Sequence, residues 1–277
     1  MKKPNQQNIK LNNYLKAANI LFVMHNEKNY STKKHNISFA FIAYNEEENI
    51  IPLVNSAKTI IKKIAKNYEI VFIVLETSKD RTIDIIKELS KKSKNIRLVL
   101  QSEKENGTGR AYHMCLENSK YEFVFYSDAD NQFDLREIEK FLPFMEQYEI
   151  VAGYRIGRKG FSRVFVASIY NIINKALFGV KERDVDCAFR LINKKALGKL
   201  RFTCKTGLFT TEMLVKARRV GFKIKEIGVH EYPRKSGKPM WVIPWLNFPK
   251  PEVVFKILKE MKNLWIEIYW NKKSSFK

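Results

Sequence analysis

Cysteine is scarce: Cys115, Cys187 and Cys204 are the only three in 277 residues, widely spaced and in no CxxC pattern. An odd, scattered set excludes a disulfide framework and a structural zinc site, and it fits a reducing cytoplasm. Long apolar runs are missing as well. The most apolar segments, Val164 to Val180 and Trp241 to Pro249, are interrupted by Lys175 and Pro244. Neither offers the roughly 20 uninterrupted apolar residues of a membrane span. The stretch Ile20 to Met24 is too short and too late for a signal peptide. Acids are few relative to bases, 29 against 51, which leaves a formal net charge of +22. That imbalance predicts attraction to phosphates, whether in nucleic acid, nucleotides or anionic lipid headgroups, without choosing among them. Apolar residues, by contrast, are plentiful at 45%, enough over this length to build a core and to exclude wholesale disorder.

The chain divides by composition into a polar, Asn- and Lys-rich extension over 1–36, a central region over 37–240 and a tail over 241–277. In the central region, short apolar runs alternate with amphipathic segments. Strands are expected over Ile37 to Tyr44, Ile70 to Leu75, Ile96 to Leu100 and Phe123 to Tyr126. Helices are expected over Glu47 to Lys66, Asp80 to Lys91, Gly109 to Glu117 and Leu135 to Gln147. Strand and helix in strict alternation imply an α/β fold, a mostly parallel Rossmann-like sheet with helices on both faces. Further on, helices are expected over Ser162 to Phe178 and Phe209 to Arg219, and a strand over Lys223 to Val229. The tail from Pro251 to Trp270 has the spacing of an amphipathic helix.

Ligands of such sheets collect at the carboxyl ends of the strands, and polar residues stand there. Tyr44, Asn45 and Glu46 follow the first strand, Glu76, Ser78 and Asp80 the second, and Asp128 and Asp130 the fourth. Asp128, Asp130 and Gln132 place oxygen-bearing side chains at alternate positions, so they can converge on one hard cation such as Mg²⁺ or Mn²⁺. An ion of that kind takes one or two protein carboxylates and completes its shell with water and phosphate oxygens, which points to a diphosphate ligand. The same residues also suit a turn and a helix cap.

Several motifs occur in a telling order. They are Ile42-Ala43-Tyr44-Asn45-Glu46-Glu47, Val74-Leu75-Glu76-Thr77-Ser78-Lys79-Asp80-Arg81-Thr82, Asn106-Gly107-Thr108-Gly109-Arg110-Ala111 and Asp128-Ala129-Asp130-Asn131-Gln132-Phe133. Val151-Ala152-Gly153-Tyr154-Arg155 and Asp184-Val185-Asp186-Cys187-Ala188-Phe189-Arg190-Leu191 follow. Together they resemble the family 2 glycosyltransferases of GT-A fold, especially the branch of polyprenol-phosphate mannosyl- and glucosyltransferases. The resemblance implies donor-nucleotide contacts at Ala43, Tyr44, Glu46, Glu76, Gly107, Arg110, Asp128 and Ala129. It implies a metal held by Asp128, Asp130 and Gln132, with His230 near the metal or the diphosphate. Arg155 and Arg234 would hold an acceptor phosphate, and Asp186 or Asp184 would serve as base toward a hydroxyl acceptor. Three positions depart from the pattern. Leu75 and Glu76 stand where two aspartates are usual, which predicts altered base recognition, and Arg110 stands where Lys is common.

The expected activity is metal-dependent, inverting transfer of a hexose from a UDP- or GDP-linked sugar. The acceptor would be a polyprenyl phosphate or a related membrane-associated molecule. A rival acceptor is a sugar hydroxyl of a cell-surface glycan. A nucleic-acid module, suggested by the charge alone, is disfavoured because no binding motif occurs and acids crowd the strand ends. The basic loop with Arg155, Arg158, Lys159 and Arg163, and a tail carrying Trp241, Trp245, Trp265 and Trp270 among lysines, suit peripheral contact with the inner face of a membrane. The tryptophans equally suit a core or a dimer interface.

Overall fold

In the computed structural model of the chain, which describes residues 34–157, 160–237, 242–243 and 248–270, the alternating pattern becomes a seven-stranded sheet. Strands β1 (His35–Ala43), β2 (Ala65–Leu75), β3 (Ile96–Gln101) and β4 (Phe123–Asp128) are joined by helices α1 (Glu47–Ile64), α2 (Thr82–Lys92) and α3 (Thr108–Asn118). Next come β5 (Ile150–Ile156), α4 (Phe161–Phe178), β6 (Arg190–Asn193), the single turn α5 (Lys194–Leu197), α6 (Phe209–Arg219) and β7 (Ile224–His230). Two short strands, β8 (Val242–Ile243) and β9 (Phe248–Pro249), precede α7 (Pro251–Tyr269).

The order across the sheet is β3-β2-β1-β4-β6-β5-β7. β6 runs antiparallel to β4 and β5, and the other pairs are parallel. Both faces are covered. Ile37, Phe39 and Phe41 of β1 pack with Ile50, Leu53, Val54 and Ile61 of α1, whereas Ala40 joins a second cluster with residues of α3, α6 and α7. Burial on two sides explains why β1 and β2 read as continuous apolar runs. Each fully buried Phe of this layer contributes about 1.5–3 kcal/mol.

Two expectations are corrected. The helix expected over Leu135 to Gln147 is instead a pair of 3₁₀ turns, Leu135–Lys140 and Leu142–Phe144. Phe141 N–H donates to Ile138 O at 2.8 Å and Phe144 N–H to Phe141 O at 3.0 Å, the tighter spacing. Pro143 lacks an N–H, and its ring obstructs the preceding turn of an α-helix. β2 begins at Ala65, five residues ahead of the expected Ile70, because residues 65–69 continue the ladder against the start of β1. In α7, Met261, Leu264 and Ile268 enter the core, while Phe255 and Trp270 are 72% and 79% exposed. Among the described residues no helix is long and apolar enough to cross a membrane. Residues 1–33 of the polar extension, and Trp241 and Trp245, lie outside the described residues.

Candidate active site

The chain moves outward from β1 to β2 and β3, then crosses back to lay β4 on the other side of β1. The carboxyl ends of β1 and β4 therefore flank a topological switch point, where open α/β sheets bind ligands. Parallel register sets Ile42 beside Asp128, and Ala129 N–H donates to Ile42 O at 3.0 Å. Asn45 and Asn131 leave the two strands with φ of 54° and 55°, a left-handed conformation that asparagine tolerates. The Asn131 amide donates to Asn49 O at 2.9 Å, and the Asn49 amide donates to Glu46 Oε2 at 2.6 Å. The two strand ends are thus one hydrogen-bonded unit.

Acids crowd this point. Asp128 Oδ1 accepts the Tyr112 hydroxyl at 2.7 Å. Burial and then the neighbouring Asp130 hold the Asp128 carboxyl well above the usual range, against the opposing pull of Tyr112 and Arg234. Asp130 Oδ1 accepts from Gln132 N–H at 3.1 Å, and Oδ2 accepts from Arg234 Nη2 at 3.0 Å. The same Nη2 stands 3.0 Å from Glu46 Oε1. Burial pushes Glu46 up to about 6, with Arg234 and Asn49 resisting. One guanidinium therefore bridges two acids, while its Nη1, also buried, has no hydrogen-bond partner among the described residues.

Arg234 reaches Asp130 across 104 residues because the segment after β7 is fastened to the segment after β4. Tyr232 N–H donates to Gln132 O at 2.8 Å, the Gln132 amide donates to Tyr232 O at 2.9 Å, and Phe133 bridges to Glu231. Gln132, expected as a metal ligand, has its amide nitrogen in this fastening. His230 is oriented by Glu137, whose Oε1 lies 2.9 Å from Nδ1 and accepts the His230 backbone N–H at 3.1 Å. Among the described residues no three His, Cys, Asp or Glu side chains gather as a cation cage, so His230 is not brought to Asp128 and Asp130. Tyr112 and Glu137 escape a reading of the sequence. Tyr112 looks like one more apolar face residue of α3, and Glu137 lies in a stretch expected to be an ordinary helix.

After β2, Glu76 is exposed, and its Oε1 accepts from Glu103 N–H at 2.7 Å and Ser102 Oγ at 3.2 Å. Asp80 joins two helix starts: Oδ2 accepts Glu47 N–H at 3.0 Å, and Oδ1 accepts the Thr82 hydroxyl at 2.6 Å. A cavity of about 160 Å³ opens here, lined by Asn45, Glu46, Asn49, Asp80 and Gly237 among others. Ala43 is buried and Tyr44 half-buried at its rim strand, β1. Gly107 and Gly109 permit a close approach: a Cβ at 107 would sit 2.2 Å from Lys205 O, and one at 109 would sit 2.0 Å from Thr206 O. Arg110 donates its backbone N–H to Lys205 O at 3.1 Å, and its side chain pairs with Glu105 at 3.2 Å and Glu117 at 2.6 Å.

In the turn before β6, Asp184 takes Arg155 in a two-point pair, Nε to Oδ2 at 2.6 Å and Nη2 to Oδ1 at 2.7 Å. Asp186 lies 4.0 Å from the same Arg155 Nη2, with its side chain 48% exposed against 12% for Asp184. A Cβ on Gly207 would come 3.7 Å from Asp186 Oδ1, so the 205–207 segment borders this acid too. The expected contacts at Arg158 and Lys159, and the side chain of Arg163, lie outside the described residues.

A Rossmann-like half-sheet with an acid pair at its switch point, extended by an antiparallel β6, defines a GT-A glycosyltransferase. Comparison with known proteins gives the family. The profile of Glycosyl transferase family 2 matches residues 38–201, and the chain belongs to that family. It is 27% identical over 175 residues to an uncharacterised protein of Methanocaldococcus jannaschii, covering 58% of this chain and 72% of the relative. It is 29% identical to the dolichyl-phosphate beta-glucosyltransferase ALG5D of Trichomonas vaginalis, covering 74% of this chain and 68% of the relative. Glycosyltransferase AglD of Haloferax volcanii is 24% identical over 68% of this chain, which spans a third (33%) of that protein. In fold the chain is similar to glucosyl-3-phosphoglycerate synthase of Mycobacterium tuberculosis, solved with Mn²⁺, UDP and phosphoglyceric acid. The TM-score is 0.59 at 17% identity, covering 86% of this chain and 82% of that one.

Proposed function

We propose that this glycosyltransferase moves a hexose from a UDP- or GDP-linked sugar to a polyprenyl phosphate or a related membrane-associated acceptor, with inversion in one displacement. The observation that carries the reading is the acid cluster at the switch point, where Asp130 and Glu46 share the guanidinium of Arg234 and Asp128 stands against Asp130 with only the Tyr112 hydroxyl as its hydrogen-bond donor among the described residues. Hard oxygen donors in negative excess, beside a buried arginine nitrogen that lacks a partner among the described residues, fit a metal-bound diphosphate. Asp128 and Asp130 would hold Mg²⁺ or Mn²⁺, which when bound neutralises the charge developing on the leaving diphosphate. Ala43, Tyr44 and Glu46 border the nucleoside, and the Arg234 fork matches phosphate oxygens. Relatives named as dolichyl-phosphate glucosyltransferases support the lipid-phosphate acceptor, and structural neighbours solved with UDP and Mn²⁺ support the donor and the metal.

An ionised lipid phosphate attacks without a general base, so positioning and electrostatics suffice for it. The two-point pair with Asp184 supports Arg155 as a positioning residue for the 184–186 turn, and the place of Arg234 among the acids supports a contact with the donor diphosphate rather than with the acceptor phosphate. A second reading, transfer to a sugar hydroxyl, is favoured by one feature: the half-exposed Asp186 carboxylate beside the acid cluster suits a general base. Peripheral membrane contact is supported by the exposed Phe255, Leu258, Trp265 and Trp270 of α7 and by Phe165 and Ile172 of α4. The deciding experiment incubates the protein with labelled UDP- and GDP-hexoses, Mn²⁺ and either a polyprenyl phosphate or an oligosaccharide. Label partitioning into butanol is expected. Label found only in water-soluble oligosaccharide defeats the lipid-phosphate reading and leaves the hydroxyl one.

A further inference from the structure

We infer that Arg234 is a built-in counter-cation that competes with the divalent metal for Asp130 and, once displaced, becomes a diphosphate contact of the same site. The inference rests on the reading of Asp128 and Asp130 as the metal carboxylates and goes beyond it, because it assigns an order of events to one side chain.

Arg234 Nη2 stands 3.0 Å from Asp130 Oδ2 and 3.0 Å from Glu46 Oε1, the place where a cation is most needed among three acids. A divalent ion drawing on that Asp130 oxygen and a guanidinium on the same oxygen repel each other at short range. One must yield. The arginine can do so without moving its backbone. Tyr232 is pinned to Gln132 at 2.8 and 2.9 Å, and Ser236 O accepts from the Asn49 amide at 3.4 Å, so both ends of the segment stay fixed while the side-chain torsions turn.

The fork holds a donor in reserve for a ligand. Nη1 is buried and unpartnered among the described residues, a rare condition for a guanidinium nitrogen and one that a ligand oxygen relieves. Gly237, at φ +80°, keeps the space beside it open, since a Cβ there would come 3.0 Å from Nη1 and 3.3 Å from Glu46 Oε2. Lysine offers no planar fork to replace this geometry. Metal and nucleotide are thereby coupled through Arg234: the metal alone binds against the arginine, and the diphosphate rewards its displacement.

A permanent strut makes the opposite forecast. If Arg234 merely props Glu46 and Asp130 apart, removing it loosens the acids and weakens metal binding. Isothermal titration of the full chain separates the two, using Mn²⁺ alone and then UDP or GDP at saturating Mn²⁺, on the wild type, Arg234→Gln and Arg234→Lys. The expected result for Arg234→Gln is a Kd for Mn²⁺ alone at least tenfold lower and a Kd for the nucleoside diphosphate at least tenfold higher. Arg234→Lys, whose ammonium stops one bond short of the Nη2 position and offers no second nitrogen, should shift both constants in the same directions by at least threefold. It decides the matter if the glutamine variant does not fold. Mn²⁺ affinity unchanged or weakened in a folded variant overturns the inference while leaving the metal site standing. Failure of the wild type and both variants alike to bind Mn²⁺ removes the metal-site reading, and this inference with it.

Discussion

Two clusters of buried charge sit on opposite parts of the sheet, and they are built in contrasting ways. Under α6 and α7, Lys216 and Glu212 are 1% and 0% exposed and fully engaged. Lys216 Nζ donates to Glu212 and Glu267, each at 2.7 Å, and to Arg201 O at 2.7 Å. Glu212 also accepts the backbone N–H of Thr203 and of Cys204 at 2.9 Å. At the switch point, Asp130 and Glu46 share one arginine beside Asp128, two of the three acids are pushed upward in pKa, and one guanidinium nitrogen has no partner among the described residues. Satisfied charge holds a structure together; charge left partly uncompensated is held ready for a ligand.

Substitutions can break this contrast. The largest stability effect is expected from Lys216→Met, which strands the buried Glu212 and the part-buried Glu267 and should cost about 3–5 kcal/mol in denaturant unfolding. Asp130→Ala should lower turnover at least about 10²-fold, since the charge that serves the transition state is lost. Its melting temperature should hold or rise, because a neighbour crowding Asp128 is gone. A stability loss like that of Lys216→Met would erase the distinction between the clusters. Gly109→Ala should cost about 1–3 kcal/mol by overpacking against Thr206 O, seen as a lowered unfolding midpoint. The smallest effect concerns pH. Glu46 is raised from 4.5 to about 6, so its contribution is full below 4.5 and is lost as pH rises through about 6. Glu46→Gln removes that loss, and its stability relative to the wild type should improve between pH 4.5 and 6 and then level off. A difference flat across that window would place Glu46 with the satisfied charges.

How much of this was legible beforehand depended on range. β1, α1, α3, α6 and α7 could be read from periodicity because each is long and carries its own pattern. The four residues of β6 carry no usable period, and the antiparallel placement between β4 and β5 arises from tertiary pairing. The 3₁₀ turns at 135–144 mimic a helix in composition, with Pro143 as the discordant residue. Within the site, Asp128 and Asp130 were visible as a local motif at a strand end. The hydroxyl of Tyr112 on Asp128, the fastening of Tyr232 to Gln132 and the hold of Glu137 on His230 were not, since each joins residues from different elements. Gly107 and Gly109 illustrate the same limit: their spacing marks a turn, but the reason for having no side chains there is a backbone nearly a hundred positions downstream.

That close approach bears on the order in which the molecule can be assembled during synthesis. The glycine turn borders a segment whose backbone N–H groups at Lys205 and Thr206 are capped by Glu260 of α7, at 2.9 and 3.1 Å. A nascent chain that has emerged only through β4 can lay down four parallel strands, yet the wall behind its turn has not been translated. This end of the sheet is therefore completed late, once the last helix has docked, and long-range contacts of this kind are the slow ones to form. Maturation of the site then reports that the whole polypeptide through α7 has arrived.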